Sequence, residues 1–178
     1  MTGPAAPSTV SNPESAPASR TKVPAATSRA GAPAKPATEA IKALQAALAA
    51  EQVAVWAYDL VAAYDQADAG IISRVREGHL ARREATAGLL VGAGAKAPAP
   101  APSYTLPKPV TDVAGARALG DVLESDCAAA WRAVIGSTDD ANLRAMALAG
   151  LSDSAVWLTQ LKIAAKASPV TVALPGQG

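Results

Sequence analysis

Residues 38–65, TEAIKALQAALAAEQVAVWAYDLVAAYD, constrain the fold more than any other stretch of the chain. Ile41, Leu44, Leu48, Val55 and Tyr58 recur at steps of three and four. Such spacing places them on one stripe of a long amphipathic helix. Glu51 falls on that stripe, between Leu48 and Val55. Burying an unpaired carboxylate is costly, so a glutamate facing a core is rarely there for packing. Either the helix meets water at Glu51, or another group pairs with it there.

Three further helical patterns follow. Gln66 to Gly70 reads as a short turn, and a second helix runs from about Ala69 to Val91 with Ile72, Val75, His79 and Thr86 inward. Arg74, Arg76, Arg82 and Arg83 lie mostly to its side, with Glu77 and Glu84 as available partners. A third helix begins after Thr111 and Asp112, either of which can cap it, and ends near Ile135. Ala116, Leu119, Leu123, Cys127 and Val134 form its face, with Glu124 at the border. The fourth runs to about Ala167 with Leu143, Met146, Gly150, Trp157 and Leu161 inward, and Asp153 falls on that stripe. From Ser168 the chain is expected to lie extended, with Val170, Val172 and Leu174 able to dock on the helices.

Between the second and third patterns lies AKAPAPAPSYTLPKPVTD, residues 95–112, with prolines at 98, 100, 102, 107 and 109. Proline excludes helix and favours an extended path. Extended chain covers roughly 3.1–3.5 Å per residue against about 1.5 Å in a helix, so this segment can run the length of a bundle. Tyr104, Leu106 and Val110 are the side chains able to fasten it. Short connections elsewhere imply antiparallel neighbours. The expected fold is therefore all-α: a four-helix bundle of two antiparallel hairpins joined by a long proline-rich crossover, the ferritin-like topology. Residues 1–37 alternate Ala, Pro, Ser and Thr and are expected to form a disordered tail, leaving 38–178 as the bundle domain.

Composition agrees with helices packed closely. Apolar residues make up 50% of the 178, mostly alanine, while aromatic residues make up 3% and Phe is absent. Alanine is the best helix former and lets helices approach. A net charge of +1 gives no reason to expect nucleic acid or an anionic membrane as partner. Cys127 is the only cysteine, so no internal disulfide forms. No signal-peptide core is visible, and no apolar run is judged long enough and free enough of charge to span a bilayer. A cytoplasmic protein is the expectation.

Several segments together carry a family resemblance. LQAALAAEQVAVWAY in the first helix, HLARRE in the second, YTLPKPVTD in the connection, LESDCAAAW in the third and the closing VALPG stand in this order over residues 40–176. In these the chain resembles an actinobacterial, alanine-rich, ferritin-like family of unknown function. The resemblance implies the bundle fold and little established chemistry.

Candidate chemistry centres on the inward polar residues. Di-iron carboxylate bundles take a Glu from each of two helices and a Glu-x-x-His pair from each of the other two. This chain has one histidine and no Glu-x-x-His. Glu77 and His79 are two residues apart, which points their side chains about 200° apart. The standard site cannot form. A reduced iron or manganese site would draw on Glu51, His79, Glu124 and Asp153, one per helix. Counted from the turn, however, Glu51 comes level with Thr86 and His79 with Asp59, an offset of about 10 Å. The leading expectation is thus a non-catalytic structural or interaction module without a cofactor, acting as a homodimer. Its internal carboxylates would pair with Arg82, Arg83, Arg132 or tyrosine hydroxyls. A metal-dependent oxidoreductase using the reduced site is the alternative. Cys127, Trp56, Trp131 and Trp157 read as core or interface residues.

Overall fold

Steps of three and four become four long helices in the computed structural model, which describes residues 36–177 and Gly3. Helix α1 spans Thr38–Tyr64, α2 Ala69–Gly92, α3 Val113–Gly136 and α4 Ala141–Ala164. A single 3-10 turn, Gln66–Asp68, joins α1 to α2, and there is no strand among the described residues. The expected tail, residues 1–37, lies almost wholly outside the described residues.

Local chemistry sets the helix ends. Asp112 accepts the backbone N–H of Gly115 at 2.7 Å and caps α3, while Asp140 accepts that of Leu143 at 2.8 Å and caps α4. Helix α1 starts at Thr38, and Ala37 in the cap position has no side-chain acceptor to offer. Helix α4 stops at Ala164, short of the expected Ala167. Lys166 turns left-handed at φ 55°, and Ala167 donates its N–H back to the Lys162 carbonyl, which satisfies an orphan carbonyl of the last turn.

Helix α1 packs on both α2 and α3, α3 packs on α4, and the contact between α2 and α4 is slimmer. The core has two apolar clusters. One gathers Ala54, Tyr58, Val61, Ile72, Val75 and Leu123. The other gathers Leu44, Leu48, Leu90, Trp131, Val134 and Leu143. Glu51, His79, Glu124 and Ser154 are fully buried at positions that fall between them. By length and composition α1 would also pass for a membrane span, which the sequence reading did not credit. In this fold its buried face contributes to both core clusters.

Residues 95–112 form neither helix nor strand. A proline-rich segment offers carbonyl acceptors but few N–H donors. Side-chain amides of α1 meet it: Gln45 Nε2 donates to the Lys96 carbonyl at 2.8 Å, and Gln52 Nε2 to that of Pro98 at 2.7 Å. The Tyr104 ring then stands edge-on to Trp56 at 5.6 Å, and Leu106 and Val110 pack against the first cluster. At the other end of the chain, Val172 and Leu174 are exposed rather than docked. Contact there is made by Gly176, where a Cβ would lie 2.7 Å from the Ala128 carbonyl oxygen. Its φ of 75° is a second reason this position suits glycine.

Candidate functional site

Helices α1 and α3 each carry a glutamate followed seven residues later by an aromatic N–H or O–H: Glu51 and Tyr58, Glu124 and Trp131. Seven residues are two turns, about 10.5 Å on one face. Glu51 meets Trp131, Tyr58 meets Glu124 and Asp65 meets Arg117, so rising numbers on α1 face falling numbers on α3. The two helices are antiparallel, and each carboxylate lies opposite the other helix's aromatic donor. Tyr58 Oη donates to Glu124 Oε1 at 2.5 Å, and Trp131 Nε1 donates to Glu51 Oε1 at 2.7 Å.

Helix α2 places His79 between the two carboxylates. Nδ1 lies 2.7 Å from Glu51 Oε2 and Nε2 lies 2.8 Å from Glu124 Oε1. An ionised carboxylate only accepts hydrogen bonds, so with Glu51 and Glu124 both ionised each ring nitrogen would donate and the ring would be an imidazolium. Burial alone would push His79 down. Its hydrogen bonds to Glu124 and Glu51, with the charges of both, reverse that and raise it above its ordinary 6.5. Tyr58 stacks on the imidazole at 5.4 Å between centroids, and Trp157 meets it edge-on at 4.9 Å. Trp157 reaches this place because Gly78 has no side chain; a Cβ there would overlap the indole.

One turn beyond His79, Arg82 supplies a second cation. Its Nε lies 3.1 Å from Glu51 Oε1, at ion-pair distance but without the alignment of a hydrogen bond. Nη1 donates to the Gly150 carbonyl at 2.9 Å, Nη2 to Ser154 Oγ at 3.2 Å, and the guanidinium lies 4.3 Å from the Trp157 ring centroid. Nη2 also comes within 3.1 Å of His79 Nδ1. With His79 protonated these would be two cations in contact, with Glu51 facing both. Cys127 Sγ is 4.0 Å from the same nitrogen, and burial, then Glu51 and Glu124, push its thiol well up. Counting Glu51 and Glu124 against His79 and Arg82, the formal charges cancel.

Three of the four candidate ligands thus meet, and the fourth does not. The expected 10 Å offset between Glu51 and His79 is wrong. The chain becomes helical again directly after Asp65, with Gln66–Asp68 as a leading turn on α2, so the hairpin folds about Asp65 rather than near residue 68. Asp153 is not inward: its side chain is 55% exposed and reaches Arg82 Nη1 only at 3.7 Å. Ser154, 100° further round the helix, takes the buried place. Of the expected carboxylate partners, Arg82 and a tyrosine serve. Arg83 pairs with exposed Glu84, and Arg132 donates to the Gly176 carbonyl. Trp131 is more than packing, since it donates to Glu51. The repeated seven-residue interval from Glu to aromatic donor was its signal in the sequence. Glu51, His79 and Cys127 present one potential ligand atom each within 4.8 Å of one another, the only such group among the described residues.

Comparison with known proteins places the chain in a family. A crystal structure titled as a conserved hypothetical protein, rv2844, from Mycobacterium tuberculosis is similar, with 32% identity and a TM-score of 0.68. The similarity covers 71% of this chain and 98% of that one. No curated protein matches. The family described as "Domain of unknown function (DUF4439)" matches residues 43–178, all four helices but the first turn of α1 included, and the chain belongs to that family.

Proposed function

We propose that the chain is a ferritin-like bundle in which an internal cation pair stands where metal-binding bundles hold ions, and that it serves as a non-catalytic structural or interaction module. The observation that carries this is that both ring nitrogens of His79 lie at hydrogen-bond distance from the buried carboxylates of Glu51 and Glu124, a geometry that suits an imidazolium. The topology is supported by α1 running antiparallel to both α2 and α3, with residues 95–112 alongside α1 as the crossover.

A metal fits poorly among these residues. Both nitrogens of His79 are committed to carboxylates, and Arg82 flanks Glu51. A thiolate ligand is disfavoured at Cys127, because burial, and after it the carboxylates of Glu51 and Glu124, hold its proton on. A divalent ion bound through His79 would displace a ring proton and leave a buried group that was formally neutral with a net charge of +1. The alternative, an iron- or manganese-dependent oxidoreductase, draws on the closeness of Glu51, His79 and Cys127. Elemental analysis of protein purified without chelator decides between them. Far less than one metal per chain is expected; one iron or manganese per chain, lost in Glu51→Ala, would establish the alternative.

As an interaction module the bundle is proposed to pair with a second copy. Leu148, Ser152, Val156 and Ile163 share the outward face of α4, opposite Leu143, Gly150 and Leu158. Leu148, Val156 and Ile163 are 55%, 52% and 59% exposed. No charged residue falls on that stripe. Light scattering at micromolar concentration is expected to give twice the chain mass, reverting to one chain in Val156→Glu. A wild-type monomer would refute the dimer.

A further inference from the structure

A cavity of about 490 Å³ lies between α3, α4 and the segment 171–177. That is within the usual size of a small-molecule site. Its wall is mostly apolar, with Ala129, Ala155, Leu158, Val172 and Pro175 among its residues. Glu124 and Ser154 lie beneath that wall, fully buried, and offer an occupant no surface. Three polar residues of the wall that do reach solvent are acceptors. Ser125 Oγ donates its proton to the Asp121 carbonyl at 2.7 Å, and Thr159 Oγ1 donates its own to the Ala155 carbonyl at 2.9 Å. Each oxygen keeps its lone pairs and has no further proton to give. Asp126 is exposed, and its carboxylate only accepts. Partial burial raises its carboxyl above the ordinary 3.8, and no cation offsets this. Thr171, Gln160 and Gln177 can serve as donor or acceptor. No lysine, arginine or histidine stands among the described residues of the wall.

We propose that this cavity binds a small organic amine, with its ammonium head at the Asp126 carboxylate and its apolar body against α3, α4 and the segment 171–177. An ammonium carries three donors and no acceptor, which suits a wall whose hydroxyl protons at Ser125 and Thr159 are already committed. A carboxylate head would meet Asp126 with no cation to balance the two charges. A hydroxyl head would find acceptors but leave the Asp126 charge uncompensated. An ion pair near solvent is worth little by itself, so most of the affinity comes from burying the apolar body, and the head group sets the preference. The occupant touches none of the buried polar groups of the core, so the proposal stands apart from the metal-free reading above.

The probes are hexylammonium, 1-hexanol and hexanoate, titrated calorimetrically into the full chain at neutral pH. One hexylammonium per chain is expected, with hexanol weaker by about threefold to tenfold and hexanoate weaker still. From butylammonium to hexylammonium the affinity should rise about fourfold for each CH₂, the mark of an apolar cavity rather than of a surface ion pair. Asp126→Asn, at an exposed position, is expected to lower hexylammonium binding to the level of hexanol and to leave hexanol unchanged. Ala129→Trp fills the cavity from an exposed position of α3 and is expected to abolish binding of all three probes, with circular dichroism checking that the helices remain. Should that variant fail to fold, Asp126→Asn and the chain-length series still decide. Absence of hexylammonium binding, hexanoate binding as tightly, no gain with chain length, or hexylammonium binding unchanged in Asp126→Asn or in folded Ala129→Trp would each overturn the proposal.

Discussion

A His79→Leu variant is expected to lose about 3–5 kcal/mol of unfolding free energy, because it leaves two buried carboxylates with a single cation between them. Glu51 keeps Arg82 and Trp131, but Glu124 keeps only Tyr58. Urea unfolding measures the loss. The pH dependence identifies its cause. Folding raises His79 above 6.5, so the unfolded chain releases this proton first as pH climbs. The stabilisation is therefore complete below about pH 6.5 and is lost as pH rises through the raised folded value. Tyr58 and Cys127 are raised too, from 10.0 and 9.0, so their losses begin only at higher pH. Between pH 6.5 and 9 the wild-type stability should fall while that of His79→Leu stays flatter. Parallel curves for the two proteins would refute the bridging imidazolium.

Gly150→Val is the second large effect. Any Cβ at this position would lie 2.7 Å from the Trp131 ring. That ring has no freedom to move aside, since it is buried and its Nε1 is bonded to Glu51. Either the helices separate or the indole gives up its bond, which leaves a buried carboxylate oxygen short of a donor. Overpacking of this kind with the lost hydrogen bond amounts to roughly 3 kcal/mol or more. Thermal melts read the loss, and near-UV circular dichroism reads the displaced indole. Gly88→Ala is the control: it faces open space on the same bundle and should be neutral or stabilising by about 0.5–1 kcal/mol. If both variants melt alike, Gly150 is not a contact point.

Helices were legible because their apolar spacing repeats over many turns, and the cap of α3 because Asp112 stands just before it. Glu51 was legible as a buried carboxylate because apolar neighbours flank it on both sides of its stripe. The meeting of Glu51 with His79 was not. It depends on how three residues, Gln66–Asp68, are divided between turn and helix, and at about 1.5 Å per residue a small error there shifts every pairing. Asp153 was misplaced for a related reason. Position 153 borders both faces, and a rotation of 100° exchanges it for Ser154. A side chain as small as serine gives no periodic signal of burial. The approach of Trp131 to Gly150 is a tertiary fact that no spacing within either helix encodes.

The polar layer has a further consequence for a bundle built largely of alanine. Alanine surfaces look nearly the same one turn higher or lower, so apolar contact alone distinguishes poorly between helices docked in the right place and helices slid along one another. A slip of one turn would separate Glu51 from Trp131 and His79 together, and Glu124 from Tyr58, stranding charges in the interior. Alternative alignments are thereby made expensive, much as one polar position fixes the alignment of a coiled coil. The layer acts as an index mark, telling four smooth rods where along their length to stop.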